Sequence, residues 1–334
     1  MPAPTLATAP EAPAAAVPAS APLAPVAAAP APSATWKRAW TANLPWGSGA
    51  TQAGRSVPAE GSPEAPSSLA VSADGRIWLL DQVNSRVLVL KINPQQQLEQ
   101  ALPAIPVSRT AQDLTVSQDG TRLYVVDRLV KRQLVVWDVV NQKEIAHVAI
   151  DDSQLPNPAG ETAIFLWQNQ VFLEYEHAEA LAVAGLNGEK ILQAGTPPHR
   201  LGGRIATEKG AVMRALKTQP QEVLLTTWFD QDRENLPTQR TTVHFDKPVL
   251  QIAGLDTLGS SLNWLTVDVV SQPTETPRRI AVGLNAELNE TQRLELCAPV
   301  GPEEQLRTTV AGPDHAFYNV CRGDLGLKIE RWAP

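Results

Sequence analysis

The sequence predicts an all-β fold, a β-propeller, and two observations support this prediction. The first is an internal repeat: the segment 72–90 recurs at 117–136, so that Asp74 and Asp119 lie 45 residues apart, the length of one four-stranded blade. The second is that short β-rich runs alternate with turn residues throughout the rest of the chain, with no long helical period. Because residues 66–334 hold about six such periods, we expect six blades of four antiparallel strands.

The first 35 residues differ in composition from everything that follows. Ala occupies 15 of these positions and Pro 9, and Glu11 is the only charged side chain. Frequent Pro removes backbone donors and disfavours helix, so we expect a disordered, extended linker over 1–35 and a propeller over 36–334. Ala-Pro segments of this kind resemble the tethers of bacterial envelope proteins. A passive tail without a tethering role is the alternative.

The blades are assigned in order along the chain, and their similarity to the first two copies decreases. The short strand Trp36–Trp40 is expected to close the ring beside Leu327–Trp332, which leaves 47–67 as the connection into the first blade. After the two clear copies, the predicted blades span Glu161–Gly185 with three strands, Arg204–Ala253, Leu262–Cys297 and Pro313–Trp332.

The first two copies resemble NHL repeats. In that family each blade reads Asp-Gly, an apolar strand ending in Asp, a short loop with Asn, and Arg-Val at the start of the next strand. Here these positions are Asp74-Gly75, Asp81, Asn84 and Arg86-Val87. The resemblance is good over 68–92 and fair over 113–137, and it implies a six-bladed propeller.

The charged residues of the repeats have a structural interpretation. Asp81 and Arg86 are five residues apart across a hairpin loop, as are Asp127 and Arg132. A carboxylate and a guanidinium in this position can pair with each other and with loop amides, so we predict that they stabilise the hairpins. Ligand binding is the alternative.

No catalytic signature is present, and no catalytic residue, metal ligand or cofactor is predicted. Glu174, Glu176, His177 and Glu179 form one acidic cluster, which is expected to be a solvated loop, or a Ca²⁺ site if the loop folds inward. The tripeptide Arg322-Gly-Asp matches the integrin-binding sequence, and we expect it to serve as a hairpin turn.

The chain contains only two cysteines, Cys297 and Cys321. Both fall at predicted strand positions near the end of the chain. They are either a disulfide between the last two blades or two buried thiols. In an oxidising envelope compartment the disulfide is the reasonable state, and it would contribute about 3 kcal/mol.

Charge and hydropathy exclude two classes of partner. The net charge is -7 with a pI near 5.3 and no basic stripe, which argues against nucleic acid. The apolar runs after residue 35 are too short to span a membrane, so a membrane contact would need a tether that this chain does not contain.

Two functions remain open at this point. We favour a non-enzymatic binding or scaffold propeller that contacts a protein partner through its loop face, located in the periplasm, in the bacterial envelope or outside the cell. The alternative is a Ca²⁺-dependent hydrolase similar to six-bladed lactonases, for which no inward-facing acidic set is apparent in the sequence.

Overall fold

The structure is a computed structural model. It describes residues 36–334, apart from 61–62, 129–130, 152, 154, 156, 158–159, 192–198, 207–209, 230–236, 259–261, 273 and 299–306. The predicted linker 1–35 lies outside the described residues. Within them the chain forms six sheets of four antiparallel strands, and this confirms the all-β, six-bladed propeller.

The strands follow one another blade by blade. The first strand, β1 (Lys37–Pro45), belongs to the last blade. The first blade is β2 (Ser68–Val71), β3 (Ile77–Asp81), β4 (Arg86–Ile92) and β5 (Leu98–Pro106), with a 3-10 turn at Gln82–Asn84. The second is β6 (Ala111–Val116), β7 (Arg122–Asp127), β8 (Gln133–Asp138) and β9 (Lys143–Ala149). The third is β10 (Glu161–Trp167), β11 (Gln170–Tyr175), β12 (Glu179–Gly185) and β13 (Arg200–Leu201).

The second half of the chain repeats this order. The fourth blade is β14 (Arg204–Ile205), β15 (Ala211–Gln219), β16 (Glu222–Phe229) and β17 (Gln239–His244). The fifth is β18 (Val249–Leu258), β19 (Leu262–Val269), β20 (Arg278–Asn285) and β21 (Glu290–Leu296). The sixth contains β22 (Thr309–Ala311), β23 (Phe317–Gly323) and β24 (Gly326–Ala333).

Antiparallel order fixes which loops share a face of the ring. The connection between the second and third strand of each blade lies on the same side as the connection from one blade to the next. We call this side the upper face, and the side with the other two hairpins the lower face. The hairpin at Gly323–Gly326 and the connection 46–67 therefore both lie on the upper face, whereas the turn at Val140 lies on the lower face.

The N-terminal strand closes the ring. Strand β1 is the outer strand of the sixth blade, where it pairs antiparallel with β24 from Lys37 opposite Ala333 to Pro45 opposite Gly326. The predicted closing strand was Trp36–Trp40, so the position is right and the strand continues five residues further. Gly326 is required here, because a Cβ at this position would lie 2.2 Å from the Leu44 carbonyl oxygen.

Two blade boundaries predicted from the sequence were wrong. The third blade has a fourth, two-residue strand at Arg200–Leu201, beyond the predicted end at Gly185. The fifth blade begins at Val249 with β18, which the prediction had assigned in part to the fourth blade. Bulges in the pairing of β18 with β19 break its alternation, and this hides the start of the blade in the sequence.

The hydrophobic core lies between the blades. Each of the six buried clusters combines side chains from two neighbouring sheets, including one that joins the last blade to the first. Trp78 and Trp264, both fully buried, occupy two of these seams. Since each blade packs on both neighbours, we expect the ring to be stable only when it is closed. None of the described helical turns has the length or apolar character of a membrane span.

Candidate functional site

Asp81 and Arg86 face each other across the upper hairpin of the first blade. Arg86 Nε lies 2.8 Å from Asp81 Oδ2, and Asn84 Nδ2 donates to the same oxygen at 2.9 Å. Arg86 also donates to three carbonyl groups of the connection that follows β1, at Ser48, Gly49 and Gln52. The pair therefore joins the hairpin of the first blade to the segment that closes the ring.

The corresponding residues of the second copy have contacts of their own, and the fifth blade contains a further Asp–Arg pair. Asp127 is buried at the end of β7 and accepts a hydrogen bond from Thr110 Oγ1 at 2.8 Å, while the backbone carbonyl of Arg132 accepts from Ile150. In the fifth blade Arg279 binds Asp268 through two nitrogens, at 2.7 and 2.9 Å. The sequence did not reveal this pair, because 11 residues separate the two partners instead of five.

A buried charged network lies along the axis of the propeller. Asp113 on β6 accepts hydrogen bonds from Ser68 Oγ of the first blade and from the Ile164 amide of the third. Arg307, which leads into β22, donates to the carbonyl groups of Leu114 and Ile164. The innermost strands of neighbouring blades are thus connected by polar contacts.

Two members of the acidic cluster predicted as a solvated loop, Glu174 and His177, are instead buried, so the prediction was wrong for them, whereas Glu176 is exposed. Glu174 is fully buried, and its carboxylate lies 2.7 Å from Arg204 Nε and 3.0 Å from His177 Nδ1. His177 Nε2 lies 3.2 Å from the Ile252 carbonyl oxygen, which places this loop against the fifth blade. The first strand of the fourth blade is only two residues long, and the loop packs beside it.

Three carboxyl groups, those of Asp113, Asp256 and Glu174, are therefore buried inside the protein, although no such set was apparent in the sequence. Their surroundings shift their pKa values in different directions. Burial raises the pKa of Asp113 and of Asp256, and the charge of Arg307 only partly offsets this. Burial also acts on Glu174, but Arg204 and His177 outweigh it and hold the pKa of Glu174 well below its usual range. No group of three or more potential metal ligands occurs in the described part of the chain.

One signal in the sequence could have located this axial network. Ser68 and Asp113 bond to each other at a separation of 45 residues, as do Glu64 and Arg109, because the inner strands of adjacent blades are one repeat apart. Asp113 thus occupies in the second copy the position that Ser68 has in the first. A charged residue at a buried position of an inner strand indicates a partner on the axis.

The two cysteines form a disulfide that joins the last two blades, and this confirms the predicted pairing. Cys297 follows β21, Cys321 lies in β23, and their Cα atoms are 5.6 Å apart. The bond lines a cavity of about 660 Å³ on the upper side of the sixth blade. Disulfides persist in oxidising compartments, so this bond fits a protein outside the cytoplasm.

The contribution of the disulfide to stability can be measured directly. Replacing both cysteines, Cys297→Ser with Cys321→Ser, should lower the free energy of unfolding by about 3 kcal/mol, because the bond closes a loop of 24 residues in the unfolded chain. Denaturant unfolding of both proteins measures the difference. Alkylation followed by intact-mass measurement should find two reactive thiols only after reduction, and two thiols in unreduced protein from its native compartment would contradict the assignment.

An exposed surface lies beside the cavity, and we call it the corner patch: Trp46, Arg55 and Leu325. Leu325 forms the tip of the upper hairpin of the sixth blade and is 90% exposed, the most of any large apolar side chain described. Trp46 Nε1 donates to the Gly323 carbonyl oxygen at 3.0 Å, and the Arg55 guanidinium lies 5.4 Å from the Trp46 ring centre. The tripeptide Arg322-Gly-Asp enters this hairpin, as expected of a turn.

Comparison with known proteins assigns neither a family nor a function to the chain. No family model matches the chain, the NHL family included, and no curated protein matches it. Among solved structures, a Kuenenia stuttgartiensis hydrazine synthase is similar, with 14% identity over 76% of this chain and 72% of that chain and a TM-score of 0.45. A chain of a mitotic checkpoint complex has 10% identity over 79% and 89%, with a TM-score of 0.44. The molecule is thus described by its fold, a propeller that fits a binding or scaffold role.

Proposed function

We propose that this protein is a non-enzymatic propeller that binds a protein partner through its upper face, at the corner patch. The observation that supports this is the exposed Leu325 beside Trp46 and Arg55, at the mouth of a cavity. Trp and Arg are among the residues that most often dominate binding energy at protein interfaces.

The proposal includes a location. We infer that the protein acts in the periplasm, in the bacterial envelope or outside the cell, held by the Ala-Pro linker 1–35. The disulfide supports an oxidising environment. Strand β1 starts on the lower face, opposite the corner patch.

The internal contacts of the buried carboxylates argue against Ca²⁺-dependent hydrolysis. Asp113 accepts hydrogen bonds from the Ser68 hydroxyl and from two backbone amides, those of Leu114 and Ile164. Glu174 pairs with Arg204 and His177. A metal ion at either carboxylate would have to displace these internal donors.

Site-specific photo-crosslinking in the native host tests the proposal. A crosslinking amino acid at position 325 should give one discrete adduct, identified by mass spectrometry. The matched control is position 140, since Val140 is 71% exposed on the lower face. The purified adduct partner should bind the protein, and Leu325→Asp should weaken that binding at least tenfold, about 1.4 kcal/mol, while Val140→Asp leaves it unchanged. Adducts from position 140 alone, or from neither position, would refute the proposal.

A further inference from the structure

Arg55 is positioned to bind a carboxylate from outside the protein. Its side chain is exposed and lies over the Trp46 ring, and it pairs with no carboxylate among the described residues. Stacking on an aromatic ring orients a guanidinium while its planar fork of N–H donors stays available. Trp46 is itself held by its hydrogen bond to Gly323, so the orientation of Arg55 rests on a fixed support.

A second guanidinium group, that of Arg322, lies close enough to Arg55 for their charges to interact. Arg322 precedes Gly323 in the same hairpin, is partly buried and donates to the carbonyl groups of Ala65 and Pro66. Burial first, and then the charges of Arg55 and Arg279, lower the pKa of Arg322 to about 10. On a chain with a net charge of -7, and with the exposed Asp324 in the same hairpin, the guanidinium groups of Arg55 and Arg322 are the charges here that attract acidic groups over basic ones.

The cavity beside the patch provides space for an apolar group. Leu44, Leu325 and Leu327 are among its lining residues, together with the disulfide. Gly323 also lines it, and its lack of a side chain leaves room above the sheet. A volume of about 660 Å³ lies in the range of small-ligand sites and accommodates an aromatic side chain with its adjoining backbone.

We propose that the segment recognised at the corner patch is an acidic peptide with one large apolar side chain, whose carboxylates face Arg55 and whose apolar side chain enters the cavity. This rests on the proposed function and specifies the chemistry of the partner. Opposite charge brings the segment to the patch and sets its orientation, and burial of the apolar side chain supplies most of the affinity.

Synthetic peptides test the inference on the full-length protein. The probes are a short peptide of Glu and Ser with one central Phe, the same peptide with Lys in place of Glu, and the first peptide with Ala in place of Phe. We expect the Glu/Phe peptide to bind at least tenfold more tightly than either of the others, measured by calorimetry at low salt. Equal affinities, or no binding of the Glu/Phe peptide, would overturn the inference.

Two protein variants test the role of the Arg55 charge and the role of the cavity separately. Arg55→Glu should reverse the preference between the Glu and Lys peptides, and Val140→Glu on the lower face is the matched control that should not. Gly323→Leu should remove the advantage of Phe over Ala and keep the preference for Glu, since a Cβ at Gly323 meets only the Gly326 carbonyl oxygen, at 3.5 Å. Unchanged peptide preferences in a folded Arg55→Glu variant would contradict the assignment of charge.

The inference and the proposed function fail in different ways. A crosslink from position 325 without peptide selectivity keeps the binding face and overturns only the chemistry assigned to the partner. Absence of the crosslink, with peptide binding intact, overturns the protein partner while leaving an acidic, apolar ligand at the site.

Discussion

Deletion of residues 1–45 is expected to unfold the propeller or to leave it aggregating, whereas deletion of 1–35 should shift the melting temperature by no more than about 2 °C. The longer deletion removes β1, which exposes β24 as an unpaired edge. It also removes two edge-to-face ring contacts: that of Trp36 with Trp264, whose ring centres are 4.9 Å apart, and that of Trp40 with Tyr318. Each Trp and the buried Leu44 contribute on the order of 2 kcal/mol, which together approaches the whole stability of a typical domain.

Thermal unfolding of the two truncated proteins, followed by circular dichroism, provides the measurement. Full-length protein is the reference, and the shorter deletion is the matched control because it keeps every residue of β1. A protein lacking 1–45 that melts within a few degrees of the reference would show that the ring does not need its N-terminal strand.

Replacement of Glu174 by Gln is expected to lower the free energy of unfolding by about 3–5 kcal/mol at pH 7. Replacement of Asp256 by Asn should leave that free energy unchanged or raise it. Both carboxylates are buried, so the contrast depends on their partners. Glu174→Gln leaves Arg204 as a buried cation without its paired charge. For Asp256, burial raises the pKa despite Arg307 and Arg204, so its ionisation costs stability at neutral pH and Asn removes that cost.

The pH dependence of stability follows from the lowered pKa of Glu174 and the raised pKa of Asp256. Because the pKa of Glu174 is lowered from 4.5, its contribution is present above about pH 4.5 and is lost as the pH falls below that value. Because the pKa of Asp256 is raised from 3.8, its contribution favours the folded state at low pH and is lost as the pH rises through the folded-state pKa. Glu174→Gln should therefore flatten the loss of stability on acidification.

Denaturant unfolding from pH 3 to pH 8 measures both effects. The advantage of Asp256→Asn over the unchanged protein should grow as the pH rises. A Glu174→Gln protein as stable as the unchanged one at pH 7, or an Asp256→Asn protein several kcal/mol less stable, would contradict the assignment of the axial charges.

The repeat period was sufficient to predict the architecture. Three features can be recognised in one sequence without an alignment: the step of 45 residues, the turn residues at fixed positions and the short apolar runs. The closing strand was found because Trp36–Trp40 was left over once six blades had been counted. The disulfide was predictable because two cysteines allow only one intramolecular pair.

The candidate site was not predictable in the same way. Trp46, Arg55 and Leu325 come from opposite ends of the chain, and only ring closure brings them together. The acidic cluster was assigned to solvent because the sequence does not show that the first strand of the fourth blade has only two residues. Glu174 is buried beside that strand, and its partner Arg204 is 30 residues away.

Hydrogen–deuterium exchange on the full-length protein, alone and with the partner recovered by crosslinking, tests the role of the corner patch most directly. If the upper face binds the partner, amides in 46–56 and 320–328 should become protected while those around Val140 exchange at the same rate in both samples. Protection around Val140 with unchanged exchange at the corner patch would place the binding surface on the opposite face and contradict the proposed function.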